Sequence, residues 1–121
     1  MKDSLAPGVT HEFTVEVTRD MSPEHLAPMV VLSTPKMIEL MEQASLEAAQ
    51  PHLDDTETTV GTHVNVSHDA AAAGGEAVTV TSQLVSVERR RLTFSVSARA
   101  GDRALGRGTH ERAVVNLNNF G

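Results

Sequence analysis

The stretch from Thr34 to Gln50, TPKMIELMEQASLEAAQ, decides how this chain of 121 residues folds. Thr34 suits the N-cap of a helix and Pro35 its first turn, and Pro51 ends the pattern, so we predict a helix from Thr34 to about Gln50. At about 100° per residue, one broad apolar arc forms. Its members are Met37, Ile38, Leu40, Met41, Ala44, Ser45, Leu46, Ala48 and Ala49.

The other regular segments have the pattern of β-strands. Residues 11–17, before the helix, alternate apolar Phe13, Val15 and Val17 with polar side chains. After the helix, four segments rich in Val and Thr alternate with a period of two: residues 58–68, 76–87, 92–100 and 104–117. One amphipathic helix and these strands predict an α+β fold, in which a curved antiparallel sheet of about five strands wraps the helix.

Composition narrows the class of protein. The length predicts a single domain over residues 1–121. There is no cysteine, which excludes a disulfide scaffold and a cysteine nucleophile, and a net charge of -6 argues against binding nucleic acid. No signal-peptide pattern and no apolar run near ~20 residues occur, so we expect a cytoplasmic protein that does not enter membranes. With no Trp or Tyr, the core is aliphatic, and we expect a homodimer to bury more surface.

Glu42 stands out because it falls inside the apolar arc of the predicted helix, between Ala49 and Leu46. A carboxylate on a buried face must be paired, protonated or functional, because burying a bare charge is costly. A plainer interpretation places it at the edge of the arc, where it reaches water or a salt bridge. The helical pattern leaves both interpretations open.

His68 closes the second predicted strand. It is in phase with Val60, Val64 and Val66, so we expect all four side chains to face the helix. A histidine in that place is either structural or catalytic, and strand phase does not choose between them. His63 is out of phase and is predicted to face solvent.

Thr34 needs no role beyond that of a helix cap. The N-terminus of a helix nevertheless offers free N–H groups and a partial positive charge, which could stabilise the oxyanion of a thioester carbonyl. A hydroxyl, a carboxylate and an imidazole together suit acyl transfer. Sequence order does not establish that Thr34, Glu42 and His68 meet.

Two groups of arginines are candidates for binding. Residues 89–91, three consecutive arginines, fall at a predicted hairpin tip, where a solvated turn is favoured over a phosphate contact. Arg112 lies inside the last predicted strand, where an arginine usually pairs with a carboxylate, here Glu42 or a ligand. No phosphate-binding glycine loop, His-Glu-x-x-His helix or calcium loop occurs, so no metal is predicted.

Several segments in the right order carry a resemblance. From about His11 to Phe120 the chain resembles the fluoroacetyl-CoA thioesterase group of hot-dog-fold proteins. The blocks that match are TPKMIELME at residues 34–42, VNVSH at 64–68, SVERRRL at 86–92 and GRGTHERAV at 106–114.

The resemblance implies a hot-dog fold, a dimer with active sites near the subunit interface, and hydrolysis of a short acyl-CoA. No separate cofactor is implied, because CoA is part of the substrate. By carry-over, Thr34, Glu42 and His68 are catalytic. Gly61 would contribute backbone near the reacting thioester or water, and Arg112 would line the site.

The chain departs from that group in one segment. Members selective for fluoroacetyl-CoA use a phenylalanine lid before the threonine, whereas residues 21–33 contain no Phe, and Pro28 or Met29 stands in its place. The acyl group is therefore not predicted. The alternative function is a non-catalytic acyl-CoA-binding or sensing module on the same fold. A hydratase ranks last, because its Asp-x-Asn-Pro-x-His type of motif is missing.

Overall fold

The computed structural model of the protein describes residues 1–119, so Phe120, where the resemblance ends, lies outside the described residues. The elements agree with the predicted order to within about two residues at each boundary. They are β1 (Thr10–Glu16), α1 (Thr34–Ala49), β2 (Glu57–His68), β3 (Ala77–Glu88), β4 (Arg91–Ala100) and β5 (Arg103–Asn116). Short 3-10 turns cover Arg19–Met21, Glu24–Leu26 and Gln50–His52.

The strands form a five-stranded sheet in the order β1-β3-β4-β5-β2. Every neighbouring pair is antiparallel. The predicted α+β architecture is therefore confirmed. Within residues 1–119, β2 pairs only with β5 and β1 only with β3, so these two strands form the edges of the sheet.

The core lies between α1 and one face of the sheet. Side chains on β4 alternate strictly, with Leu92, Phe94 and Val96 at most 2% exposed, as a half-buried strand requires. On the helix, the buried face contains Met37, Leu40, Met41, Ala44, Ser45, Ala48 and Ala49. No helix within residues 1–119 is both long and apolar enough to cross a membrane.

A buried hydrogen bond ties the helix to the sheet. Ser45 Oγ donates to the carbonyl of Met41 at 2.9 Å, and it lies 2.7 Å from Ser82 Oγ on β3. A hydroxyl has one proton. Ser82 is therefore the donor to Ser45, and both fully buried hydroxyls are satisfied. Small residues at this contact allow α1 to approach the sheet closely.

A β-bulge in β2 corrects one prediction. Gly61 pairs with Arg112, but His63 pairs with Glu111, so Thr62 is an extra residue in the ladder. The bulge shifts the alternation by one. Val64, Val66 and His68 share the helix-facing side with Gly61, as the pairing of Val64 with the buried His110 requires.

The prediction that Val60 shares that face is wrong, because Val60 lies before the bulge. It pairs with Ala113, next to the pair of Gly61 and the buried Arg112, and so belongs to the opposite face. His63 is solvent-facing as predicted, with its side chain 58% exposed.

Glu57 anchors the N-terminus to the end of β2. Its carboxylate is 6% exposed and accepts hydrogen bonds from the Met1 ammonium, from the Asp54 N–H at 3.0 Å and from Arg90 at 2.8 Å. The Met1 ammonium and the Asp54 N–H, with a smaller contribution from Arg90, lower the pKa of Glu57 to about 2 against the opposing effect of burial. Of the arginines at the β3–β4 turn, Arg90 therefore has a structural partner.

Replacing Glu57 by Gln should lower the thermal stability of the untagged protein at pH 7. The lowered pKa means that the ionised carboxylate stabilises the fold fully above about pH 4.5, and that this stabilisation is lost as the pH falls towards about 2. Thermal unfolding of both proteins from pH 7 to pH 2 should show a gap in Tm that closes over that window. Glu39→Gln, at a position 67% exposed, is the control and should behave like the wild type. A gap independent of pH would contradict the assignment.

Candidate functional site

The N-terminus of α1 is capped by Ser33. Ser33 has extended backbone angles, and its Oγ accepts a hydrogen bond from the Lys36 N–H at 3.1 Å. The prediction that Thr34 is the N-cap is therefore wrong, because Thr34 already belongs to the helix. Two adjacent hydroxyl residues both suited the position, and only the backbone decided between them. The Thr34 hydroxyl is thus free for another partner.

That partner is His68. Thr34 Oγ1 lies 2.7 Å from His68 Nδ1, between the first turn of α1 and the last residue of β2. The other ring nitrogen, Nε2, is buried and has no hydrogen-bond partner among residues 1–119. A cavity of about 370 Å³ opens beside this pair, with Leu26, Val31 and Ala70 among its apolar lining residues.

Glu42 lies at a different place on the helix. It is eight residues beyond Thr34, which corresponds to about 12 Å along the helix axis. Its half-buried side chain faces the bulge in β2, and among residues 1–119 it makes no hydrogen bond to His68. The expected orientation of His68 by Glu42 is therefore not formed within one chain.

Gly61 provides the space that Glu42 occupies. A Cβ atom on Gly61 would lie 2.9 Å from Glu42 Oε1, 3.2 Å from His110 Cε1 and 3.4 Å from Arg112 Nη1. A side chain at Gly61 would displace the carboxylate, so a glycine fits here for steric reasons. A second cavity, of about 530 Å³, is lined by Glu42, Gly61, Arg112 and Leu46 among others.

Arg112 is held in place by β2 and by its own strand. Its Nε donates to Thr59 Oγ1 at 2.7 Å and its Nη2 donates to the Thr59 carbonyl at 3.0 Å, while Nη1 lies 3.1 Å from His110 Nε2. Burial lowers the pKa of Arg112, and the negative charge of Glu42 opposes that shift. The predicted carboxylate neighbour is thus Glu42, which acts through its charge, with no ion pair within 4.0 Å among residues 1–119.

His110 is a buried residue that the sequence pattern did not single out. It is 1% exposed, and its Nδ1 lies 2.8 Å from the carbonyl oxygen of His63. Burial is the main reason that the pKa of His110 is lowered, and the positive charge of Arg112 lowers it further, against Glu42 and the His63 carbonyl. The sequence contained one indication of this position: His110, Arg112 and Val114 are two residues apart along β5, so their side chains lie on the same face of the strand.

The structure therefore divides the predicted site residues into two groups. Thr34 and His68 meet at one end of β2, whereas Glu42, Gly61 and Arg112 meet at the bulge, together with His110. Within residues 1–119, no three His, Asp or Glu side chains are arranged to hold a metal ion. The first group offers a hydroxyl, an imidazole and a helix N-terminus, which suits attack on a carbonyl carbon. The second offers a carboxylate and a fixed cation.

Comparison with known proteins gives consistent matches over nearly the whole chain. Residues 9–118 match the family described as "FlK: Fluoroacetyl-CoA-specific thioesterase". A fluoroacetyl-CoA thioesterase from Streptantibioticus cattleyicolor is 42% identical over 128 residues, which cover 99% of this chain and 92% of the relative.

Two solved structures show the same fold. The fluoroacetyl-CoA thioesterase FlK has a TM-score of 0.89 at 39% identity, covering 98% of this chain and 93% of FlK. A hot-dog-like protein from Thermanaerovibrio acidaminovorans has a TM-score of 0.85 at 24% identity, covering 94% of this chain and 86% of that protein. The hot-dog fold is thereby confirmed.

The corrected cap makes a prediction about stability. Ser33→Ala should lower the free energy of unfolding by about 1 kcal/mol, because the Lys36 N–H loses its acceptor. Ser33→Asn keeps a side-chain acceptor at the N-cap and should change that free energy by less than about 0.5 kcal/mol. Urea unfolding measures both. An equal loss for Ser33→Asn and Ser33→Ala would contradict the assignment of Ser33 as the cap.

Proposed function

Because this chain belongs to the fluoroacetyl-CoA-specific thioesterase family, we propose that it hydrolyses a short acyl-CoA at a centre formed by Thr34, Glu42 and His68. The reaction class, hydrolysis of an acyl-CoA thioester to the free acid and CoA, is that of its relatives. A purely binding role gains no support from them. The observation that carries the assignment of residues is the hydrogen bond between Thr34 and His68 at the start of α1.

In this proposal His68 is the general base. Its Nδ1 is 2.7 Å from Thr34 Oγ1, within reach for removing a proton from that hydroxyl or from a water bound to it. Two routes follow. In the first, Thr34 attacks the thioester, the acyl C–S bond breaks, CoA leaves with a proton, and water then hydrolyses the acyl-Thr34 intermediate to the free acid. In the second, the water attacks the thioester carbonyl directly and CoA leaves from the same adduct. Mass spectrometry of protein quenched during turnover of a slow substrate distinguishes them, because only the first adds the acyl mass to Thr34.

In this proposal the start of α1 supplies the hydrogen-bond donor that stabilises the oxyanion of the reacting carbonyl. Pro35 has no N–H, and the Lys36 N–H is bonded to Ser33, so Thr34 contributes the N–H that is left in the first turn. That donor and the positive end of the helix dipole suit a developing oxyanion on the thioester carbonyl. The cap at Ser33 thus leaves the catalytic residue's own backbone available.

Glu42 reaches the reaction centre through a second subunit in this proposal. Along β2, Gly61 and His68 are roughly 20 Å apart. The strand is a sheet edge, and residues 61–65 are exposed, with Val64 37% exposed. Antiparallel pairing of two β2 strands about a two-fold axis near Val64 would place Gly61 of the partner subunit opposite His68.

In this arrangement each active site is shared, with Thr34 and His68 from one subunit and the group around Glu42 from its partner. Glu42 of the partner subunit, lying over its own Gly61, would then approach the His68 ring from across the interface. Arg112 of the partner subunit would line the same cavity and meet negative charge on the substrate. A homodimer also covers an otherwise unpaired strand edge, which proteins rarely leave exposed.

A mixing experiment tests the shared site. Thr34→Ala and Glu42→Gln should each lower kcat/KM by roughly 100-fold or more as pure proteins. Mixed, unfolded and refolded together in equal amounts, they should recover about a quarter of the wild-type activity. Half of the dimers then contain one subunit of each variant, and each of these heterodimers has one site in which both Thr34 and Glu42 are intact.

The control is a mixture of Thr34→Ala with His68→Ala, which the proposal assigns to the same group. That mixture should stay inactive, because no dimer then contains an intact site. Recovery in the control but none with Glu42→Gln would show instead that Thr34 and Glu42 act from one chain and that His68 comes from the partner subunit. No recovery in either mixture would show that all three residues act within one chain. Full activity of His68→Ala on every acyl-CoA that the wild type cleaves would refute the proposed catalytic centre.

The acyl group is proposed to be selected weakly near the start of α1. Residues 21–33 contain no Phe, and Met29 is 58% exposed at the place of the lid. The ratio of kcat/KM for fluoroacetyl-CoA over acetyl-CoA should therefore stay within about 10-fold. The two acyl groups differ by one small substituent, and no aromatic side chain closes over it to distinguish them. Phe placed at Pro28 or Met29 should raise the ratio. A wild-type ratio far above 100 would contradict this proposal.

A further inference from the structure

The cluster at the bulge contains one ionisable group that the proposed mechanism does not use. His110 lies on β5 under Gly61, between the edge strand β2 and Arg112. Its two ring nitrogens have different partners, the carbonyl oxygen of His63 at 2.8 Å and Arg112 Nη1 at 3.1 Å. Neither contact is with solvent, since His110 is 1% exposed.

These two partners fix the chemical state of the ring. A carbonyl oxygen only accepts, so Nδ1 carries a proton and donates it to His63. A guanidinium only donates, so Nε2 carries a lone pair and accepts from Arg112. The ring is therefore neutral, with its single proton on Nδ1. A second proton on Nε2 would face the positively charged guanidinium of Arg112, which disfavours it.

The same contacts account for the orientation of Arg112. An arginine has five N–H donors. Thr59 takes two of them, through Nε and Nη2, and His110 takes one, through Nη1. The remaining donor on Nη1 is thus held beside Gly61 and Glu42, where a Cβ atom on Gly61 would be 3.4 Å from Nη1.

We infer that His110 is a positioning residue of the active site: as a neutral acceptor it fixes the Arg112 guanidinium against Glu42 and Gly61, and through His63 it holds the bulge that carries Gly61. The inference rests on the proposed function, because it assigns a role within the same site. It adds a residue that touches neither the thioester nor CoA and that acts through Arg112.

The charged groups around His110 give this role a pH dependence. Glu42 faces it from α1, Arg112 and Glu111 lie on its own strand, β2 contributes the His63 carbonyl, and the paired residue on β4 is the uncharged Phe94. The pKa of His110 is lowered mainly by burial. Arg112 therefore stays in position through neutral and mildly acidic pH, and its position is lost only when acid forces a proton onto Nε2.

Two substitutions separate positioning of Arg112 from a structural role at the bulge. In His110→Gln the amide oxygen reaches the place of Nε2 and accepts from Arg112. In His110→Asn the shorter amide reaches only the place of Nδ1, so it keeps the donor to His63 and loses the acceptor for Arg112. Positioning predicts that Gln retains kcat/KM to within about threefold and that Asn loses roughly 10- to 100-fold, the size of one charged hydrogen bond.

A purely structural role predicts the opposite order, since Asn preserves the contact to the bulge. If Asn is as active as Gln or more active, the inference is overturned. In an Arg112→Met background, His110→Asn should cost less than about threefold, because the residue it acts through is gone. Thr109→Ala, an exposed neighbour on the other face of β5, is the matched control and should leave kcat/KM unchanged.

A measurement on the substrate-free wild type separates this inference from the proposed function. Imidazole ¹⁵N chemical shifts, assigned to His110 through bond correlations from its own backbone resonances, should show a neutral ring protonated at Nδ1 from pH 7 to below the ordinary histidine pKa of about 6.5. A ring protonated at Nε2, or charged at pH 7, overturns the inference even if both variants fail to fold. Absence of thioesterase activity in a wild type with the expected shifts would instead contradict the proposed function.

Discussion

The close approach of α1 to the sheet is the constraint on which the rest of the structure depends. Ala44 and Ala48 are at most 3% exposed, and Ser45 is bonded to Ser82 across the interface. Larger side chains there would move the helix outwards, because interiors are packed too tightly to absorb extra volume. Once this distance is set, the first turn and the middle of the helix face defined points on the sheet. Thr34 then reaches His68, and Glu42 lies over Gly61.

The separation of these two contacts divides the residues of the proposed site into two groups within one chain. Thr34 and Glu42 are eight residues apart on the helix, about 12 Å along its axis, and His68 and Gly61 are roughly 20 Å apart along β2. Each contact therefore forms at its own place on the edge strand. In the proposed homodimer, a two-fold axis through the exposed part of β2 would bring opposite ends of this strand together, so the edge strand would serve both the assembly and the chemistry.

The polar cluster at the bulge shows how a charge is kept inside a small protein. Arg112 is 7% exposed, and an unpaired cation in that position would be strongly destabilising. Thr59 and His110 satisfy the N–H groups that face the core, and Glu42 supplies the opposite charge. The bulge at Thr62 makes room for this cluster, since it turns Gly61 and Val64 towards the helix on either side of the extra residue.

The sequence by itself determined the helix, the five strands and the order of these elements along the chain, because apolar periods of 3.6 and 2.0 depend only on local geometry. It also singled out Thr34, Glu42, His68 and Arg112, although Thr34 gained its role from a family resemblance. The tertiary structure alone decided which of two adjacent hydroxyls caps α1, and on which side of β2 each residue before and after Thr62 lies. It also brought His110 to Arg112. Each of these depends on a hydrogen-bond partner or a register shift contributed by another part of the chain, and no local pattern contains that information.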